Sequence, residues 1–354
     1  MIAYINYIYI ALFAIASSLI YIRIARWLNI TDQPIGRSSH TASTITGLGI
    51  IFPLCVLFAS LIVKTTPPIG PFFLIGLFAL GIISFIDDVL FVKHSVRFVF
   101  QIFALILMII ELPMGDNLVS LIPIYVATIV FGIGVINAYN FMDGINGMLG
   151  LNLLATLICL FIINDVLPAN GEDGLHFIDS RILFSVIAAD VVFLFYNFRK
   201  KAKSFAGDVG AICIGFIVLS LVYQLIVTTQ NYSYLLLFIV FGIDAGVTVF
   251  YKIILRENIF VPHRDFLFKK LVHIAKMKHL HVSSLYALVQ LLIGLTTVLF
   301  FRNIPKTSQI AVLFTAIIGL IAVYIFYRNK LTKKRHEKPI NRNGTLKTTY
   351  KKIS

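Results

Sequence analysis

The stretch 211–229, AICIGFIVLSLVYQLIVTT, contains no charged side chain. A helix needs about 20 predominantly apolar residues to cross a hydrocarbon layer about 30 Å thick. Backbone amides find no water in that layer, so a segment that crosses it must satisfy its own hydrogen bonds as a helix. This run therefore predicts a membrane-spanning helix, and similar runs recur along the chain.

The composition extends this interpretation to the whole chain of 354 residues, of which 59% are hydrophobic and only 13% charged. A soluble domain usually has about 25% charged residues. The sequence predicts an all-α polytopic integral membrane protein with 10 or 11 transmembrane helices and no internal repeat. Residues 1–327 are predicted to form the membrane domain and residues 328–354 a basic, disordered tail. The eleven predicted spans are 4–22, 46–63, 70–86, 98–112, 118–136, 148–163, 182–198, 211–229, 233–251, 282–301 and 309–327.

Lysine and arginine are distributed unevenly between the two sets of loops. The loops after odd-numbered spans, together with the tail, hold 26 of the 30 Lys and Arg residues. Cytoplasmic loops of membrane proteins carry such an excess, so the C-terminus is predicted to be cytoplasmic and the N-terminus outside. Much of the net charge of +14 lies in the tail, which is typical of a segment near anionic lipid head groups and argues against nucleic-acid binding.

Five predicted cytoplasmic loops carry the unusual polar motifs of the chain. The second contains the pair Asp87-Asp88, and the third and fourth contain aspartate beside glycine. All five loops belong to the predicted membrane domain. The motifs are RSSH at 37–40 with TGLG at 46–49, Asp87-Asp88 with Lys93 and Arg97, NAYNFMDGING at 137–147, RKKAKSFAGDVG at 199–210, and ENIFVPHRD at 257–265.

Four carboxylates adjoin the ends of predicted spans: Asp87, Asp88, Asp143 and Asp208. A single aspartate at a helix end is usually a cap or a solvated charge. Four on one face, where partial burial makes each ionised form costly, favour a shared cation. Oxygen ligands with few histidines suit Mg²⁺ or Mn²⁺ better than zinc.

Glycines and basic residues in the same loops favour an anionic ligand. The segment 207–210 directly precedes a span, and free amides at the start of a helix bind phosphate. The cationic candidates are Arg37, Lys93, Arg97, Lys203, His263 and Arg264. For Lys203 the topology is the favoured explanation, because it belongs to the basic run 200–203.

The five motifs, in their order along the chain, resemble those of the polyprenyl-phosphate N-acetylhexosamine-1-phosphate transferases. The resemblance covers about residues 30 to 275. The family is the WecA/MraY-like glycosyltransferase family 4, and the motifs are most similar to its WbpL-type branch. The resemblance implies transfer of an N-acetylhexosamine-1-phosphate from a UDP-sugar to undecaprenyl or another polyprenyl phosphate, with release of UMP. It further implies initiation of cell-envelope glycan or O-antigen synthesis at the cytoplasmic face of the bacterial inner membrane. A homodimer is compatible with it.

The resemblance also implies roles for individual residues. Asp208 and Asn140 would contact Mg²⁺ or Mn²⁺. The role of Asp87 stays open between a general base and a group that places a cation or a lysine. Besides Asp87, the residues expected to be catalytic are Asp88, Asp143, His263 and Arg264. Those expected to bind substrate are Arg37, His40, Lys93, Arg97, Asn137, Gly144, Asn146 and Asp244.

Two other classes of function remain open at this point. Asp190 and Asp244 lie within predicted spans, and carboxylates inside the membrane often mark transport paths, which favours a lipid or solute transporter. A non-catalytic relative of the family is the other alternative, because the last loop departs from the family pattern. The departures there are Asp265, Phe266, Phe268 and Lys269.

Overall fold

The computed structural model describes residues 2–32, 43–62, 70–112, 118–168, 174–257 and 265–336. Within these ranges the chain forms twelve α-helices. A 3-10 turn precedes α2, a π-helical turn follows α6, and a 3-10 segment, Tyr232–Phe238, leads into α9. The helices are α1 (Ile2–Trp27), α2 (Ile51–Ile62), α3 (Pro71–Val89), α4 (His94–Glu111), α5 (Leu118–Met142), α6 (Met148–Phe161), α7 (Ser180–Asn197), α8 (Gly207–Thr229), α9 (Ile239–Ile254), α10 (Leu267–His273), α11 (His279–Phe300) and α12 (Lys306–His336).

Ten helical segments among the described residues are long and apolar enough to cross a membrane. The apolar helix over Leu48–Ile62 is shorter and matches the second predicted span. The prediction of an all-α polytopic protein with 10 or 11 spans is therefore confirmed. One predicted boundary needs correction, because α12 continues to His336 and includes the first nine residues of the predicted tail. Residues 337–354 lie outside the described part of the chain.

Helix α8 is the central element of the bundle. The most apolar part of α8 is entirely buried inside the protein, whereas only 6% of the most apolar part of α12 is buried. Gly215 allows close packing, because a Cβ at this position would lie 3.1 Å from the Ile136 Cα of α5. Small residues at such crossings are typical of helices that pack within membranes. The charge-free stretch 211–229 of α8 thus reflects burial among helices rather than contact with lipid.

Two short strands are the only sheet among the described residues, and the all-α prediction did not include them. β1 (Thr31–Asp32) and β2 (Thr44–Ile45) pair antiparallel, with Thr31 opposite Ile45. They form the two stems of the first predicted loop, whose residues 33–42 lie outside the described ranges. β2 also forms a bridge with Ser204, which attaches this loop to the start of α8.

Polar residues gather at both ends of the bundle. We call one the motif end; there α3 and α5 finish near Asp88 and Asp143, and α8 begins at Gly207. We call the other the opposite end, which includes Asn164 and Asn231. The predicted motifs that fall on described residues gather at the motif end or on the helices beside it.

Candidate active site

The Asp88 side chain caps the N-terminus of α8. Its Oδ1 accepts a hydrogen bond from the backbone N–H of Asp208 (2.8 Å), and its Oδ2 accepts one from the N–H of Val209 (3.1 Å). The first N–H groups of a helix have no partner within it, and a carboxylate there also meets the positive end of the helix dipole. Gly207 has a φ of +73°, and a Cβ on it would lie 2.5 Å from Asp88 Oδ2. Asp88 therefore fixes the backbone that carries Asp208.

Arg97, near the start of α4, lies between two carboxylates. Its Nη1 is 2.8 Å from Asp208 Oδ2 and also contacts Asp87 Oδ2. Asp87 Oδ1 accepts a hydrogen bond from the N–H of Val92 (2.8 Å). In the amide orientation that satisfies both atoms, Asn140 donates to Asp208 Oδ1 (3.2 Å) and its oxygen accepts from Arg97 Nη2 (2.8 Å). Oxygen atoms from α3, α5 and α8 thus surround one cationic group.

These oxygen atoms fit a divalent cation of the Mg²⁺ or Mn²⁺ type. The Asp208 side chain is 32% exposed, against 9% for Asp87, so Asp208 is the carboxylate that an incoming ligand can reach. The shared guanidinium shows that the donor set already accommodates a positive charge. No group of three or more His, Cys, Asp or Glu side chains suited to a metal occurs among the described residues. Mg²⁺ typically takes one or two protein carboxylates and completes its shell with water and phosphate oxygens, so Asp208 with Asn140 would be the residues that could hold it.

Asp143 and Gly144 form the turn after α5. Burial, and then the negative charge of Asp208, raises the pKa of Asp143 from its ordinary value of 3.8 to about 7. Gly144 packs against α10, because a Cβ on it would lie 3.0 Å from the Phe268 ring and 3.2 Å from Lys269 Cε. The turn after α5 and the start of α10 are therefore neighbouring walls beside the carboxylates.

Amide side chains hold the next part of this turn. Asn146 Nδ2 donates to the Arg199 carbonyl (2.7 Å). Asn197 Oδ1 accepts from the N–H of Gly147 (2.7 Å), while its Nδ2 donates to the Ser204 carbonyl (3.0 Å). Gly147 has a φ of +81°, a conformation that favours glycine. These bonds connect the third and fourth predicted loops into one unit.

The stem of the first loop packs on the same unit. Phe205 donates its N–H to the Ile45 carbonyl (2.8 Å), and the N–H of Leu48 donates to the Phe205 carbonyl (3.1 Å). A Cβ on Gly49 would lie 2.1 Å from the Gly210 Cα, so two backbones cross where only glycine fits. Two residues predicted to bind substrate lie between these stems, outside the described residues: Arg37 and His40.

Two further predicted residues lie on or beside α4 and α5. Asn137 Nδ2 donates to Gln101 Oε1 (2.9 Å) and to the Ile133 carbonyl (2.8 Å). Lys93 is exposed directly before α4. Asn137 thus braces α5 against α4, one turn before Asn140, while Lys93 remains accessible to a ligand.

Asp244 of α9 is buried and receives four hydrogen bonds. Its Oδ1 accepts from the N–H of Leu267 (2.8 Å) and from Tyr324 Oη (3.1 Å). Its Oδ2 accepts from Tyr286 Oη (2.7 Å) and from the N–H of Phe268 (3.2 Å). These donors come from α10, α11 and α12, so Asp244 fastens the start of α10 to the bundle.

The structure brings together six of the predicted residues: Asp87, Asp88, Arg97, Asn140, Asp143 and Asp208. Asn137, Asn146 and Asp244 instead make bonds that hold loops and helices, and substrate binding by them stays a prediction. His263 and Arg264 lie outside the described residues. Sequence reasoning did not identify several polar residues within apolar runs that support the site, although that position was itself a signal. These are Gln101, Asn197, Tyr286 and Tyr324.

Comparison with known proteins gives a match to the family model "Glycosyl transferase family 4" over residues 71–226. A decaprenyl-phosphate N-acetylglucosaminephosphotransferase of Mycobacterium tuberculosis is 37% identical over 90 residues, which are 25% of this chain and 22% of that protein. A phospho-N-acetylmuramoyl-pentapeptide-transferase of Streptococcus thermophilus is 33% identical over 153 residues, covering 38% of this chain and 43% of that protein. A probable undecaprenyl-phosphate N-acetylglucosaminyl 1-phosphate transferase of Bacillus subtilis is 25% identical over 289 residues, which cover 75% of each chain.

The alignments with the first two relatives span less than half of each relative's length. The residues matched by the family model include the aspartates at the motif end, namely Asp87, Asp88, Asp143 and Asp208. The order of these motifs, their convergence around one cation and the family match agree with one another. Residues 71–226 of this chain are thus similar to glycosyl transferase family 4.

Proposed function

We propose that this protein transfers an N-acetylhexosamine-1-phosphate from a UDP-sugar to undecaprenyl phosphate or another polyprenyl phosphate. The observation that carries the proposal is the group of Asp87, Arg97 and Asp208 at one end of an apolar bundle, with Asp208 partly open. A polyprenyl phosphate has an apolar chain and a charged head, so its phosphate would meet the protein at such an end. The names of the relatives, which describe transfer of phospho-sugars, support this choice of substrates.

The proposed reaction exchanges one phosphoanhydride for another. An oxygen of the lipid phosphate attacks the β-phosphorus of the UDP-sugar and forms a new P–O bond. The bond between the β-phosphorus and the bridging oxygen breaks, and the electron pair leaves with UMP. The product is a polyprenyl diphospho-sugar that would start cell-envelope glycan or O-antigen synthesis.

Phosphoryl transfer depends more on positioning and charge neutralisation than on covalent help from the protein. Mg²⁺ or Mn²⁺, held by Asp208 and Asn140, would offset charge on the diphosphate. Arg97 holds Asp87 and Asp208 in place and adds positive charge beside the reacting phosphates. A phosphomonoester has a second pKa of about 6, so the acceptor is largely ionised at neutral pH without a base. Asp87 would then act either as a general base or as the group that places a cation.

The remaining parts of the proposal concern the substrate pocket and the membrane. Asp143, Gly144 and Asn146 would line the nucleotide-sugar pocket, and His263 with Arg264 would hold phosphate or sugar. The motif end would face the cytoplasm of a bacterium, with the C-terminus inside, the N-terminus outside and the protein in the inner membrane. Charge bias supports this orientation, since cytoplasmic loops of membrane proteins carry an excess of Lys and Arg. Membership of the WbpL-type branch and a homodimer stay predictions.

The transporter hypothesis rested on two intramembrane carboxylates. The Asp244 carboxylate accepts four hydrogen bonds, which attach the start of α10 to the bundle. This structural role explains a carboxylate inside the membrane domain without a transport path. Asp190 of α7 is fully buried, and neither of its oxygens has a hydrogen-bond partner among the described residues. One unpartnered carboxyl group does not form a path, so the transferase is the function that we propose.

The proposal is tested with the purified protein in detergent, Mg²⁺, undecaprenyl phosphate and a panel of UDP-N-acetyl sugars. We expect UMP release with at least one sugar, dependent on both the lipid and the metal, and a lipid-linked product in equal amount. Replacing Mg²⁺ with EDTA should stop the reaction. Absence of UMP release with every sugar would contradict the proposal and would favour the non-catalytic relative.

A further inference from the structure

The last helix, α12, has one tyrosine that is buried although its neighbours are exposed. Tyr324 is 4% exposed, whereas Val323 is 53%, Phe326 63% and Tyr327 47% exposed. An isolated inward-facing tyrosine on a largely lipid-facing helix needs a reason, because a buried hydroxyl is costly without a partner. The hydrogen-bond partners of the Tyr324 hydroxyl supply that reason.

The Tyr324 hydroxyl joins α12 to α9. It donates to Asp244 Oδ1 (3.1 Å) and lies 2.9 Å from Thr248 Oγ1. The same Asp244 oxygen accepts the N–H of Leu267, the first residue of α10. Tyr324 and the start of α10 are therefore held by one atom, and Tyr324 helps to fix the direction in which that carboxylate points.

Further contacts extend this connection toward the end of α12. The Arg328 guanidinium lies 3.7 Å from the centre of the Tyr251 ring of α9. Lys270 Nζ of α10 donates to Thr332 Oγ1 (3.4 Å) and lies 3.7 Å from Asp265 Oδ1. The part of α12 that continues beyond residue 327 is thus packed on α9 and α10.

Helix α10 in turn borders the candidate active site. Phe268 packs on Gly144, the residue after Asp143. Asp244 caps the start of this helix, because it accepts the N–H groups of Leu267 and Phe268. A change at Tyr324 would therefore reach the site through Asp244 and α10 without touching any substrate.

We propose that Tyr324 is a positioning residue, through which α12 holds the start of α10 against the turn after α5. This inference rests on the proposed transferase function for its kinetic consequence. Asp244 without the Tyr324 hydroxyl keeps three donors, so the protein stays folded while the start of α10 gains freedom. A looser α10 supports the turn at Gly144 less well and weakens binding of the donor sugar there, whereas the acceptor phosphate beside Asp87 and Arg97 is unaffected.

The test compares Tyr324→Phe with Tyr327→Phe, a matched control that removes the hydroxyl from the exposed tyrosine three residues later. Loss of one hydrogen bond to a charged group predicts a rise of about three- to tenfold in KM for the UDP-sugar. The KM for undecaprenyl phosphate and the kcat should change less than twofold by the same estimate, and Tyr327→Phe should match the wild type. Tyr286→Phe, which removes the other hydroxyl from Asp244, should resemble Tyr324→Phe.

A second measurement does not depend on turnover. Limited digestion with trypsin should cut α10 at Lys269 and Lys270 faster in Tyr324→Phe than in Tyr327→Phe. In an Asp244→Asn background the Tyr324→Phe change should add little, because both changes act through one carboxylate. Equal tryptic rates in the two tyrosine variants, or equal losses in kcat and both KM values, would overturn the inference. If the wild-type protein released no UMP, the proposed function would fail, and the tryptic rates would still decide whether Tyr324 holds α10.

Discussion

The two ends of the bundle use polar side chains in different ways. At the opposite end, Asn231 donates to the carbonyls of Phe301 (2.8 Å) and Arg302 (3.0 Å). It also accepts from the N–H (2.9 Å) and the hydroxyl (2.6 Å) of Ser233. Asn164 bonds both backbone groups of Ile178 in the same manner. Neutral amides there satisfy the backbone where helices end.

At the motif end, carboxylates from three segments gather near one guanidinium. Asp87 and Asp208 share Arg97, and Asp88 accepts hydrogen bonds from backbone N–H groups. Asp143 approaches Asp208 and has no positive partner among the residues that the structure describes. Such an arrangement is less stable than paired amides, because burial of like charges is costly. The comparison indicates that the polar residues of the opposite end stabilise the fold, whereas the motif end retains charge that a bound cation and phosphates would balance.

The largest expected effect comes from removing charge at the motif end. Asp208→Asn should lower UMP release by about 100-fold or more, because a preorganised charged group at the reacting phosphates is lost. The variant should still elute as a folded protein, since the backbone N–H of Asp208 that bonds Asp88 is unchanged. Asp179→Asn is the matched control at the opposite end, where Asp179 pairs only with Arg181 in the same turn (2.7 Å). A near-normal rate in Asp208→Asn would remove this residue from the metal site.

The second prediction concerns the cation that the motif end already contains. Arg97→Ala leaves Asp87 and Asp208 without their shared partner and should lower the free energy of unfolding by about 1–3 kcal/mol in EDTA. Mg²⁺ should then raise the Tm of Arg97→Ala more than that of the wild type, because the metal replaces the missing charge. Arg97→Lys should fall between the two. Equal effects of Mg²⁺ on wild type and Arg97→Ala would argue against a metal at these carboxylates.

The opposite end should show the reverse pattern. Asn231→Ala leaves two carbonyl groups and the first turn of the segment Tyr232–Phe238 without partners, and should cost about 1–3 kcal/mol of stability. The values of kcat and KM should not change, because this end does not contact the site. Gln230→Ala, at the adjacent residue whose side chain is exposed, is the control and should be nearly neutral. Altered kinetics in a folded Asn231→Ala would weaken the division between the two ends.

Most of the fold could be predicted from the sequence, because apolar runs of spanning length have few alternatives to a helix. The run 211–229 and its helix α8 agree within four residues. The end of α12 differs from the prediction because the basic residues that begin with Arg328 also fit a solvated tail. A cation can pack on an aromatic ring instead, and Arg328 lies over Tyr251.

The site was predictable as a set of residues but not as a set of bonds. The motifs identified Asp88 and Asp208, yet only the fold shows that one caps the helix that carries the other. The supporting residue Asn197 lies inside an apolar run, and its pairing with Gly147 joins residues far apart in the chain. Long-range pairs of this kind depend on how helices pack, which a motif in a single loop does not specify.

The smallest expected effect is a dependence of stability on pH that arises from Asp143. Its pKa is raised from 3.8 to about 7, first by burial and then by the charge of Asp208. Between these two values the folded protein holds a proton on Asp143 that the unfolded chain has lost, so the free energy of unfolding falls as pH rises through this window. Asp143→Asn cannot titrate and should lack this part of the slope when the Tm is measured from about pH 4 to pH 8 in EDTA. Asp179→Asn, which changes a carboxylate at the opposite end, should keep the slope. If the slope of Tm against pH were identical in wild type and Asp143→Asn, Asp143 would be ionised throughout this range. The contrast between the two ends would then rest on Asp87, Asp208 and Arg97 alone.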